Sequence, residues 1–144
     1  MNQRTDLTAL KFNQVTVVAV SVLALAFHLP WLAGCLGLTM LIGAIWPARS
    51  PLRAAYRALS PLLGLKPEIV QEAPDAHHFA QGVGGGFLLL AGVTGLLGLG
   101  ITSTTLSLLV IALALLNLTA KICVGCLMYF QWKMIRYRLA QVGR

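Results

Sequence analysis

Apolar residues run almost unbroken from Val15 to Leu29, from Leu32 to Trp46, from about Phe79 to Leu99 and from about Ser103 to Met128. Runs this long, without strand-like alternation, predict membrane-crossing helices. The fold class expected is therefore all-α integral membrane, a bundle of four transmembrane helices at about residues 12–29, 32–46, 79–99 and 103–128. The second run is short for a bilayer and would cross nearly upright or where the bilayer is thinned. Asp6 is placed to cap a helix that begins at Leu7, and Pro30 ends the first span. Trp31 and Trp46 flank the second span as interfacial aromatics do.

Between the second and third spans the pattern changes period. Ser50-Pro51 has the form of a helix cap followed by a first-turn proline, and Leu52, Tyr56, Leu59 and Leu63 share a face apart from Arg53 and Arg57. This predicts a short interfacial helix over about 51–64, kinked or ended by Pro61. Glu68, Glu72, Pro74 and Asp75 make an acidic connector, with Asp75 as a cap for the next helix. In the third span Gly84, Ala91, Gly95 and Gly98 line up as a stripe of small residues, which serves close packing within the bundle or in a homo-oligomer. An amphipathic tail carrying Lys133, Arg136 and Arg138 follows the fourth span, and residues 1–144 read as a single membrane domain.

Composition agrees with that class. The chain is 58% hydrophobic and 10% charged, with a mean hydropathy of +0.80, too apolar for a soluble domain of this size. Its net charge of +7 does not describe a nucleic-acid surface, because apart from Lys121 the basic residues sit outside the apolar runs. They fall before span one (Arg4, Lys11), between spans two and three (Arg49, Arg53, Arg57, Lys66) and after span four (Lys133, Arg136, Arg138, Arg144), whereas the turns His28–Trp31 and Leu99–Thr102 have none. The positive-inside rule then places both termini and the middle connector on the cytoplasmic side of a multi-pass protein. Ala24-Leu25-Ala26 has the form of a leader-cleavage site but lies inside a run that continues to Leu29, so the segment reads as a span.

The chemistry concentrates at Cys123-Val124-Gly125-Cys126. Two thiols three apart suit a disulfide or two ligands to one soft metal, and the alternatives are a redox couple, a sulfur or metal relay, and packing. Counting from the outer turn sets this pair at the cytoplasmic boundary, in one layer with Lys121, Tyr129 and the openings of spans one and three. The candidate site is therefore Cys123 and Cys126 as reacting groups, with Asn13, Gln14, His78, Gln81, Lys121 and Tyr129 as binding residues. If the fourth span is one continuous helix, its C-terminal end faces the thiols, a dipole that opposes thiolate formation. Activation then needs a break at Gly125 or a positive field from His77, His78 or Lys11. Cys35 reads as packing, too far away to partner the pair, and Asn117 as an interhelical hydrogen bond. His77-His78 read as interfacial residues, no metal ligands are assigned, and the cofactor is unknown. The chain has no nucleotide-binding glycine loop and no paired carboxylates, since all four acids lie in polar segments.

Phe12-Asn13-Gln14 opens span one and Phe79-Ala80-Gln81 opens span three, a faint internal repeat that predicts two tandem two-helix units. These motifs, with Cys123-Val124-Gly125-Cys126 followed by Tyr129, resemble a family of small bacterial multi-spanning membrane proteins of unknown function, over nearly the whole chain. The resemblance implies location in the bacterial inner membrane and partners of the thioredoxin-like or rhodanese-like sulfurtransferase kind, in thiol or sulfur handling. Lys11 and His78 stand before the two phenylalanines where that family more often has arginine. Three functions are expected to compete: a membrane dithiol protein for thiol–disulfide exchange or sulfur relay, a carrier for a soft metal or sulfur species, and a non-catalytic scaffold subunit.

Overall fold

Local capping starts the first helix where the sequence places it. The Asp6 carboxylate accepts the backbone N–H of Thr8 at 3.0 Å and of Ala9 at 3.3 Å, and α1 runs Leu7–Ala26. The computed structural model describes residues 5–70 and 74–142; Arg4, Glu72 and Arg144 lie outside the described residues. After α1 come α2 (Pro30–Ile45), a 3₁₀ turn at Pro47–Arg49, α3 (Pro51–Leu59), α4 (Pro74–Leu96), α5 (Gly100–Ala120) and α6 (Val124–Val142). A two-residue antiparallel pairing of β1 (Thr5–Asp6) with β2 (Ile69–Val70) ties the connector to the start of α1. Leu7 N–H donates to the Glu68 carbonyl at 2.8 Å and the Thr8 hydroxyl to the Lys66 carbonyl at 2.8 Å. The fold is otherwise all-helical.

Among the described residues three helices, not four, are long and apolar enough to cross a membrane: Leu7–Ala26, Asp75–Leu96 and Gly100–Ala120. The second expected span, α2, is apolar but has only 16 residues. It is about 24 Å long, against about 30 Å of hydrocarbon. In the three long helices only 17% to 22% of the most apolar stretch is buried inside the protein. The remaining apolar surface faces outward, as lipid contact requires.

Two further boundaries differ from expectation. The span drawn continuously over 103–128 is broken: α5 stops at Ala120, Lys121 takes a left-handed conformation with φ 56°, and α6 starts afresh at Val124. Apolar periodicity cannot register a single left-handed residue, and the new helix is started by a sulfur rather than by one of the usual oxygen caps. The surface helix ends at Leu59 rather than near residue 64, because Pro61 has no N–H to give the Arg57 carbonyl. The Ser60 hydroxyl donates to that carbonyl instead, at 3.4 Å.

The core joins four helices through Val17 of α1, Leu36 and Met40 of α2, Leu88 of α4 and Val110 of α5. α2 and α4 approach most closely at glycines. A Cβ on Gly92 would lie 2.5 Å from Gly34 Cα, and one on Gly85 2.9 Å from the Gly37 carbonyl oxygen, so backbone packs directly on backbone. Two members of the expected stripe face α2 as well: a Cβ on Gly84 would lie 3.4 Å from Met40 Cε and one on Gly95 2.5 Å from Pro30 Cβ. Ala91 is fully buried, Gly95 packs on Pro30, and Gly98 turns the chain at φ 82°.

Candidate dithiol site

The break between α5 and α6 puts the two cysteines in different roles. Cys123 stands just before α6, and its Sγ accepts the backbone N–H of Cys126 at 3.3 Å. Its carbonyl accepts the N–H of Leu127 at 3.0 Å. Cys123 is therefore the N-cap of α6, with sulfur in the place usually taken by a serine or aspartate oxygen. Cys126 sits one turn inside the helix. Both are thiols and half-buried.

Gly125 explains how a third group joins them. α6 crosses α4 at this point so closely that a Cβ on Gly125 would lie 2.5 Å from Ala80 Cβ and 2.8 Å from Ala80 Cα. Ala80 is one helical turn beyond His77 on the same face of α4. The approach brings Cys126 Sγ to 3.6 Å from His77 Nδ1. Tyr129 packs on Phe79 with ring centroids 5.7 Å apart, fixing α6 to α4 one turn further on.

The resulting field favours a thiolate at Cys123. The Cys126 thiol, donating to Cys123 Sγ, lowers the Cys123 thiol to about 5, with His77 and the Cys126 N–H acting in the same direction and partial burial opposing them. The expected orientation of the dipole is thus reversed. The pair lies at a helix N-terminus, where the dipole stabilises a thiolate, not at a C-terminus. The donor atoms of His77, Cys123 and Cys126 all lie within 4.8 Å of one another, close enough for one soft cation to engage all three.

Two openings flank the pair. A cavity of about 410 Å³ inside the bundle is lined by Cys123 with Asn13, Gln14, His77, Gln81 and Asn117, and otherwise by apolar side chains such as Val17, Met40, Phe87 and Leu113. An outer groove of about 610 Å³ is lined by both cysteines with Lys11, Glu68, Lys121 and Phe130. Cys123 borders both spaces and Cys126 only the groove.

Of the residues expected at the site, Cys123, Asn13, Gln14 and Gln81 share the cavity, Cys126 and Lys121 share the groove, and Tyr129 supports α6 from Phe79. His78 lines a smaller neighbouring pocket that Asn13, Gln81 and His77 also line, together with Asp6, Ser50 and Arg53. Its neighbour His77 is the histidine that meets the thiols. The two histidines adjoin in sequence, and the packing of Gly125 on Ala80, one turn beyond His77, selects His77. Lys121 is exposed, and Cys35 is exposed on α2, apart from the pair. Comparison with curated proteins and with solved structures gives no match. The family profile described as a domain of unknown function, DUF4395, matches residues 5–134, which takes in every element from β1 to most of α6, and the chain belongs to that family.

Proposed function

We propose that this chain is a membrane dithiol protein that exchanges thiols and disulfides through Cys123 and Cys126 at the cytoplasmic face of a bacterial inner membrane. In this reading α2 serves as a short fourth span, both termini are cytoplasmic, and α1–α3 and α4–α6 are two copies of one unit. The observation that supports it best is the N-cap position of Cys123: a thiol held at a helix N-terminus, with a second thiol one turn on and an imidazole beside that second thiol.

Each group then has a distinct task. The Cys123 thiolate attacks one sulfur of a substrate disulfide, an S–S bond forms to that sulfur, and the other substrate sulfur leaves as a thiolate that takes up a proton. Cys126 gives its proton to His77 and attacks Cys123 Sγ. The intramolecular disulfide forms and the second substrate thiol departs, so two electrons have moved to the substrate, with one proton from Cys126 and one from water. Every step reverses when the partner is a dithiol, and a low thiol pKa at Cys123 makes it a good leaving group in that direction. The outer groove, with both sulfurs on its wall, fits a cysteine presented by a thioredoxin-like or sulfurtransferase protein.

The test uses the full chain with Cys35→Ser in membrane vesicles, equilibrated with glutathione buffers and then labelled with an impermeant maleimide from either side. A single two-electron transition that protects both cysteines, read from the cytoplasmic side, is the expected result. Labelling that ignores the glutathione ratio removes the proposal, and labelling from the opposite side removes the orientation. The three clustered donors favour a second reading, binding of a soft cation. It predicts stoichiometric Zn²⁺ binding that is weakened at least about tenfold by His77→Ala, the lower end of what even outer-shell losses cost a metal site.

A further inference from the structure

Run in reverse, toward oxidation of a partner dithiol, the exchange leaves the pair as thiols, and the inner cavity shows where the pair can be reoxidised. At about 410 Å³ it has the size of a small-molecule pocket, for which about 300–1,000 Å³ is usual. Among the described residues no Lys, Arg, Asp or Glu lines it; Lys11, Lys121 and Glu68 all belong to the outer groove. An anionic or cationic ligand would have no countercharge there beyond His77 and Cys123, so the occupant is neutral.

The lining narrows the class further. Most of the wall is aliphatic or aromatic, but Asn13, Gln14, Gln81 and Asn117 also line the space, Asn13 and Gln81 where it adjoins the small pocket of His78. The Asn13 Oδ1 is buried and has no hydrogen-bond partner among the described residues. A carboxamide both donates and accepts, so it can pair with a carbonyl oxygen and equally with the hydroxyl that a carbonyl becomes on reduction. An acyl chain would fill the apolar part and leave Asn13 unsatisfied, at a cost.

We infer that the cavity binds a neutral, lipid-soluble quinone, whose ring lies among the amides beside Cys123 and takes electrons from the dithiol. The inference rests on the dithiol reading and supplies its oxidant. The S–S bond forms between Cys123 and Cys126, two electrons pass to the quinone, its two carbonyl oxygens take up the Cys126 proton and one proton from water, and the hydroquinone leaves. In the reverse of the exchange, a substrate thiolate arriving in the groove attacks Cys123 Sγ, which lines both spaces, and displaces Cys126, which lines the groove; the second substrate thiolate then releases Cys123 as a thiolate beside the cavity. Substrate and quinone thus meet the same sulfur, Cys123, from the two adjoining spaces that it lines.

The test uses the full-length Cys35→Ser chain in lipid nanodiscs, fully reduced, with decylubiquinone as probe and glutathione disulfide as a second oxidant. One decylubiquinone should be reduced per chain with loss of both thiols. Ala114→Phe, which projects a ring into the cavity, should lower the quinone rate relative to the glutathione rate by at least about tenfold, a steric discrimination of ordinary size. Asn13→Leu should lower the same ratio about fivefold to tenfold, the worth of one hydrogen bond. Oxidation by glutathione disulfide with decylubiquinone left unreduced overturns the quinone inference and leaves the dithiol reading standing, while failure of both oxidants overturns the reading itself. Quinone reduction that neither substitution slows, relative to glutathione, places the chemistry outside the cavity and also overturns the inference.

Discussion

Gly125→Ala is the sharpest probe of how the site is assembled. The added methyl would sit 2.5 Å from Ala80 Cβ and 2.8 Å from Ala80 Cα, whereas carbon atoms in contact settle at about 3.5–4.0 Å. The start of α6 must therefore withdraw from α4 by about 1 Å. Neither contact is the end of a flexible side chain, so the strain cannot be absorbed by rotation and should cost about 1–3 kcal/mol in stability. The withdrawal breaks the 3.6 Å approach of Cys126 Sγ to His77 Nδ1 but not the bond from Cys126 N–H to Cys123 Sγ, which lies within α6. Cys123 should stay reactive to iodoacetamide, while disulfide closure slows by about a hundredfold, the usual effect of a 1 Å misplacement at a reacting centre. Stopped-flow exchange with glutathione disulfide, alongside alkylation of Cys123, separates the two effects. The control is Ala80→Gly combined with Gly125→Ala, which removes the opposing methyl and relieves the closer of the two contacts. Disulfide closure at the native rate in Gly125→Ala alone would show that His77 and the close helix crossing have no part in the chemistry.

Two other outcomes follow from the same geometry. With the Cys123 thiol lowered to about 5 from 9.0, its alkylation rate should hold steady below neutrality and fall only as pH passes about 5, and His77→Ala should move that midpoint upward. The sign for stability is that of a depressed acid: the stabilisation is fully present above pH 9.0, and lost as pH falls through about 5. Lys121→Gly should stabilise the fold by about 1 kcal/mol in thermal or denaturant unfolding, because φ 56° penalises any side chain with a Cβ. Destabilisation by Lys121→Gly would mean that the lysine side chain, exposed at the groove, does more than cap α5.

The sequence and the structure agree where a single residue type determines the outcome. Asp6 and Ser50 cap their helices because an oxygen at that position satisfies free N–H groups, a rule that needs no tertiary information. The layer of Asn13, Gln14, Gln81 and the thiols was legible from residue counting, since rise per residue fixes depth. What escaped was set by tertiary contact. An apolar run that crosses residues 121–123 hides the left-handed break there, and with it the reversal of the dipole at Cys123. The choice between His77 and His78 depends on which face of α4 meets α6, and only the contact of Gly125 with Ala80 decides it.

The two halves, read as copies of one unit, explain why the site is where it is. Phe12 of α1 packs on Tyr56 of α3 at 5.6 Å, and Phe79 of α4 packs on Tyr129 of α6 at 5.7 Å. Each tyrosine lies six residues after the N-cap of its helix, Ser50 in one half and Cys123 in the other. Each cap accepts the N–H three residues on, from Arg53 at 3.4 Å and from Cys126 at 3.3 Å. The serine–arginine pair of the first half and the cysteine pair of the second thus occupy the same positions of a shared frame. The frame alone requires only a capping atom and a small or flexible residue one turn later, which Ser50 and Arg53 satisfy without any redox chemistry. Replacing the oxygen with sulfur keeps the cap, and because the donor is a backbone N–H at a helix start, the cap then also favours a thiolate. In this reading the dithiol needs no new fold: the second copy of the capping motif carries sulfur at its cap, and the close crossing at Gly125 brings His77 to Cys126.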